Sequence, residues 1–133
     1  MKSEKNEGMK KFAVMVTLLS AMTATAIAAG YRNIGSVEAK ALLAKNKNVF
    51  LLDVRTSEEY RQAHLHGSVL IPINELERRV AEIPRDRTIV VYCAVGSRSV
   101  PVAGFLAGKG YRDVYNMSDG IIGWYRNGFA IVR

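Results

Sequence analysis

The chain carries one cysteine, Cys93, within Tyr92-Cys93-Ala94-Val95-Gly96-Ser97-Arg98-Ser99. A cysteine does chemistry as its thiolate, and two features here favour that form. Thr88 to Tyr92 is a β-branched and aromatic run that reads as a buried strand. Ser99 to Lys109 reads as a helix, with Pro101 in a first turn that tolerates it. Cys93 therefore falls on a tight strand-to-helix loop, where several backbone N–H groups and a helix dipole converge. Arg98 adds a permanent positive charge. The chemistry this points to is a thiolate-centred transfer involving a small anion. A lone cysteine after an apolar strand is ordinarily an inert packing residue. Gly96, Ser97, Arg98 and Ser99 argue otherwise, because Gly96 opens backbone conformations closed to other residues and the other three are donors.

Composition narrows the alternatives. A single cysteine cannot close an internal disulfide, and it leaves no resolving partner for a thiol redox cycle. With only His64 and His66 beside it, no metal site is expected. The formal charge is +7 and the charges are dispersed, apart from Glu77-Arg78-Arg79. That pattern excludes a nucleic-acid stripe and suits the attraction of small anions.

Residues 1–28 read as a secretory signal peptide. Lys2, Lys5, Lys10 and Lys11 form a basic start, Phe12 to Thr23 an apolar stretch, and Ala24-Thr25-Ala26 and Ala26-Ile27-Ala28 small-residue cleavage sites. Met9 is an alternative start. The competing reading is an uncleaved anchor, for which the apolar stretch is slightly short. Cleavage would leave a single domain over 29–133, exported to the bacterial periplasm and without stable membrane association.

The rest of the chain must position the thiol. Tyr31 to Gly35 reads as a lead-in, and Ser36 as the cap of a helix over Val37 to Lys45, with Val37, Ala41, Leu42 and Ala44 inward. Val49 to Val54 reads as a strand covered on both faces. Thr56-Ser57-Glu58-Glu59 matches a capping box opening a helix to about Ala63. Ser68 to Ile71 is a short strand. Asn74 opens a helix through Ile83, stopped by Pro84. Asp113 to Asn116 is a last strand, and Gly120 to Asn127 a terminal helix. Short strands alternating with helices mean an α/β domain with a mainly parallel sheet. Such sheets place ligands beyond the carboxyl ends of their strands, where Cys93 lies.

Three motifs in order resemble the rhodanese-like domain family. Asp53-Val54-Arg55, Glu59-Tyr60 and His64-Leu65-His66-Gly67-Ser68 are similar to one family signature, and Tyr92 to Ser99 resembles the active-site loop. Asp119-Gly120-Ile121-Ile122-Gly123-Trp124 resembles the motif before the last helix. The resemblance spans roughly Ile34 to Val132, and the nearest type is the small exported bacterial sulfurtransferase. It implies a five-stranded, mainly parallel sheet flanked by helices. It also implies a persulfide on Cys93 and no other cofactor. The donor would be thiosulfate or another small anionic sulfur donor, and the acceptor cyanide or a thiol. The protein would be a monomer or weak dimer. Ala94, Val95, Gly96, Ser97, Arg98 and Ser99 would bind substrate, with Arg98 either stabilising the donor and departing sulfite or bracing the loop. Asp53, Arg55 and His64 would give structural support. Related phosphatases and arsenate reductases carry one more residue between cysteine and arginine, so the resemblance implies sulfur chemistry here.

Two departures bear on substrate. Ala94 and Val95 are apolar where many relatives carry polar or basic side chains, which implies a poorer thiosulfate site. Asp119 replaces a frequent glycine, and either adds negative charge near the loop or caps the last helix. The alternative function within the same resemblance is a non-catalytic persulfide carrier or protein-docking module.

Overall fold

A computed structural model describes residues 30–133 of the chain; the leader expected over 1–28 lies outside the described residues. Five strands, β1 (Arg32–Ile34), β2 (Phe50–Asp53), β3 (Val69–Leu70), β4 (Ile89–Tyr92) and β5 (Val114–Met117), form one sheet. The order is β1-β5-β4-β2-β3 and every pairing is parallel. Helices α1 (Ser36–Lys45), α2 (Ser57–Gln62), α3 (Leu76–Arg79), α4 (Ser99–Gly108) and α5 (Gly120–Arg126) connect them.

The sheet is buried on both faces, and strand alternation sorts its side chains between two cores. Along β4, Ile89 and Val91 enter a core with Val102, Ala103 and Leu106 of α4. Val90 and Tyr92 enter the opposite core, with Ala39 of α1 and Ile121 and Trp124 of α5. Cys93 is next in the alternation, so its side chain joins Ile89 and Val91 on the α4 side. The period-two pattern thus delivers the thiol to the first turn of α4.

β4 is the central strand. After β2 the chain moves outward to β3, and after β4 it moves the other way, to β5. The carboxyl ends of β2 and β4 therefore flank the point where connections diverge, the usual crevice of an open parallel sheet.

Several expectations need correcting. Tyr31 to Gly35 is not a plain lead-in: Arg32–Ile34 pairs with β5 as the edge strand β1. Three residues are too short for a periodic signal. Val37 is 61% exposed, and Ser36 and Ala39 are the buried residues of α1. The helix expected from Asn74 to Ile83 is broken into a 3-10 turn (Ile73–Glu75), α3, and a second 3-10 turn (Val80–Glu82). Ile83 is extended ahead of Pro84, as a residue before proline prefers. Glu75–Arg78 and Arg79–Glu82 ion pairs at i,i+3 fit that tighter winding.

Candidate active site

The Cys93 residue has no solvent-exposed surface, yet polar groups surround its sulfur. The Gly96 N–H donates to Sγ at 3.2 Å, and the Ser99 hydroxyl lies 3.4 Å from it. Ser99 is itself fully buried, and its one hydroxyl proton has two acceptors in reach, the Gly96 carbonyl at 3.1 Å and the Cys93 sulfur, whose ionised form draws it. Burial pushes the thiol up. Hydrogen bonds from the Ser99 hydroxyl and from the amides of Ser99, Gly96 and Val95 outweigh it, leaving Cys93 below the ordinary thiol value.

Two glycines allow this loop to close. Gly96 has φ +93° and lies against the Ser118 backbone, which a Cβ would overlap. Gly120 has φ +63°, and a Cβ there would overlap the Ala94 carbonyl. This approach lets the first amides of α5 reach the loop. Ile121 N–H donates to the Cys93 carbonyl at 3.0 Å and Ile122 N–H to that of Ala94 at 3.1 Å. The loop is thus held from β4, α4 and α5 together.

Arg98 is engaged by Glu59 of α2. Its Nη1 and Nη2 donate to the two carboxylate oxygens at 2.7 and 2.8 Å. Both side chains are about one-third exposed, at 37% and 31%. The Arg98 guanidinium holds the Glu59 carboxyl down to about 2. Glu59 also completes the capping box with Thr56. The capping box was readable from the sequence; the bridge to Arg98, 39 positions later, has no local signal. Likewise the buried side-chain bond from Ser99 to sulfur depends on where α4 begins.

The other expected residues lie around this loop. Ser97 and Val95 are exposed, and Ala94 is half-buried. Asp53 and Arg55, at the end of β2, are buried and pair through two nitrogens: Nε reaches Oδ1 at 3.0 Å and Nη2 reaches Oδ2 at 2.7 Å. Arg55 also donates to the Ala63 carbonyl at 2.6 Å. The pair ties β2 to the end of α2, the helix that carries Glu59. His64 stacks on Tyr60 at 3.9 Å between ring centroids, with Nδ1 2.9 Å from the Tyr60 carbonyl. Asp119 caps α1 rather than the last helix, accepting from the Ser36 amide and hydroxyl at 2.9 and 2.6 Å. That leaves Ser36 inside α1, with Gly35 as its cap residue.

Beside the loop lies a cleft of about 310 Å³. Ala94, Ile121, Ile122, Tyr125 and Ile131 give it an apolar lining, and Glu59 and Arg133 also face it.

The sheet order, the cradled thiol and the α5 clamp define a rhodanese-type α/β domain. The rhodanese-like domain family matches residues 36–127, and the chain belongs to it. A sulfurtransferase of Allochromatium vinosum is 39% identical over 90 residues, covering 68% of this chain and 84% of that protein. A thiosulfate sulfurtransferase of Coxiella burnetii is 27% identical over 94 residues, covering 71% and 87%. The crystal structure of a rhodanese-related protein from Thermoplasma volcanium superposes with a TM-score of 0.70 at 31% identity, covering 77% of this chain and 98% of that one.

Proposed function

We propose that the chain is a sulfurtransferase that moves a sulfane sulfur through a persulfide on Cys93, from thiosulfate or a related donor to cyanide or a thiol. The observation that carries this reading is a buried sulfur receiving hydrogen bonds from its own loop, which favours the thiolate without a neighbouring base. With thiosulfate, the Cys93 thiolate attacks the outer sulfur. The new S–S bond forms as the old one breaks, and sulfite departs with the bonding electron pair. A nucleophilic acceptor then attacks the outer persulfide sulfur and returns the Cys93 thiolate. This is covalent catalysis in two displacements. Loop amides would stabilise the charge on both the thiolate and the persulfide.

The test is intact mass and turnover after thiosulfate treatment. Wild type should gain one sulfur and lose it to cyanide. Cys93→Ser should do neither while keeping its circular dichroism spectrum. Transfer activity retained by Cys93→Ser overturns the mechanism. Loading without release to any small acceptor would favour the carrier role, a role matched in the name of a candidate sulfur carrier of Bacillus subtilis, 36% identical over 90 residues and covering 49% of that protein. The leader-like start adds a proposal of periplasmic location, tested by the mass of the protein recovered from that compartment.

A further inference from the structure

We infer that Glu59 sets donor choice, so that the site prefers a low-molecular-weight organic persulfide, R–S–SH, over the thiosulfate dianion. The inference rests on the sulfurtransferase reading above.

Two independent observations carry it. The first is charge. Arg98 is the loop's only cation, and Glu59 occupies both of its terminal nitrogens. The Glu59 carboxylate offsets the Arg98 charge at hydrogen-bond distance. Arg55, the next cation along the crevice, is likewise spent on Asp53. A dianion approaching Cys93 therefore meets backbone amides but no uncompensated charge from these two arginines. The second is shape and polarity. The cleft next to Ala94 is apolar along Ile121, Ile122, Tyr125 and Ile131. Thiosulfate has no carbon skeleton to place there. An organic persulfide does, and about 310 Å³ is at the small end of ligand clefts. Arg133, which lines the same cleft, offers a counter-charge for a carboxylate on that skeleton. Ile122 and Tyr125 are 40% and 57% exposed, so this surface is open.

The step balances without a further reagent. The Cys93 thiolate attacks the terminal sulfur of R–S–SH. A Cys93–S bond forms, the R–S to S bond breaks, and R–S⁻ leaves with the electron pair. The persulfide proton stays on the transferred sulfur or passes to water.

The test compares two donors, thiosulfate and N-acetylcysteine persulfide, with one common acceptor. Wild type should show the higher kcat/KM with the organic persulfide. Glu59→Gln frees the Arg98 charge and should move the ratio toward thiosulfate by roughly tenfold, the scale of one added charge acting on a dianion near a protein surface. Tyr125→Ala, at an exposed position, should lower kcat/KM for the organic persulfide several-fold more than for thiosulfate. If thiosulfate is preferred by wild type, or Glu59→Gln leaves the ratio where it was, or Tyr125→Ala affects both donors equally, the inference fails. If neither donor loads Cys93 in wild type, the sulfurtransferase reading itself fails instead.

Discussion

The amide of Ile121 donates to the carbonyl of Cys93 at 3.0 Å, so the last helix of the domain holds the backbone of its only thiol. The contact requires Gly120, whose φ of +63° turns the chain into α5 and whose missing side chain leaves room for the Ala94 carbonyl. Gly120→Ala should therefore destabilise the fold by about 1–3 kcal/mol, the range for a strained backbone residue, and displace the loop. Denaturant unfolding reads the first effect. Persulfide loading, measured by mass under conditions where the variant is folded, reads the second. A variant as stable and as readily loaded as wild type would show that the loop holds its shape without α5.

Ser99 tunes the thiol. Its hydroxyl lies 3.4 Å from Sγ and is buried. In wild type the thiol ionises below its ordinary value, so thiolate should accumulate at lower pH than in a free cysteine. Removing the hydroxyl leaves burial, which raises the value, less opposed. Ser99→Ala should shift the thiolate titration to higher pH and reduce persulfide formation most at low pH. Ultraviolet thiolate absorbance against pH checks this. An unmoved midpoint would assign the shift to the backbone amides alone.

Much of this arrangement is legible in the chain itself, for reasons that differ from part to part. Thr88 to Tyr92 is an unbroken β-branched and aromatic run, so the buried strand follows from the chain, whereas the core that the thiol joins does not, because both faces of that run are apolar. Thr56 and Glu59 lie within one helical turn, and their capping box forms as the local pattern implies. Contacts between distant residues carry no such signal. Glu59 reads as a cap residue, and its bond to Arg98 exists only because the sheet brings α2 beside the loop. Asp119 sits where a helix starts, yet it caps α1, 83 residues earlier, because α1 and α5 pack together on one face. β1 is three residues of an edge strand, and only its pairing with β5 defines it.

The Glu59–Arg98 bridge makes acid sensitivity a property of the loop. Glu59 is held at about 2, against an ordinary 4.5. A carboxyl lowered by folding contributes stability above its unfolded value and loses it as pH falls through the folded one. That contribution should thus be complete above about pH 4.5 and fade toward pH 2. Glu59→Gln should flatten this part of the stability–pH curve relative to wild type. The comparison is made by urea unfolding across that range at low and high salt, since a one-third exposed pair is screened. Parallel curves for the two proteins would mean that the bridge contributes nothing to folding.

Asp53 and Arg55 make the sharper test of how the crevice is built. Asp53 is fully buried and Arg55 is 5% exposed, so neither charge has water to turn to. Asp53→Ala strands the Arg55 guanidinium with only the Ala63 carbonyl as partner. Removing one member of a buried pair costs about 3–5 kcal/mol, whereas replacing both with apolar groups of similar volume is often close to neutral. Asp53→Leu combined with Arg55→Met should accordingly recover much of the stability lost in Asp53→Ala. The same double variant should still differ from wild type in donor choice. Without the Arg55 bond to Ala63, α2 loses its tie to β2, Glu59 no longer meets Arg98 in a fixed place, and the donor ratio should move toward thiosulfate, as in Glu59→Gln. Unfolding midpoints and the donor ratio, measured on both variants, separate the two roles: if the double variant recovers stability and keeps the wild-type donor ratio, the pair acts as packing alone.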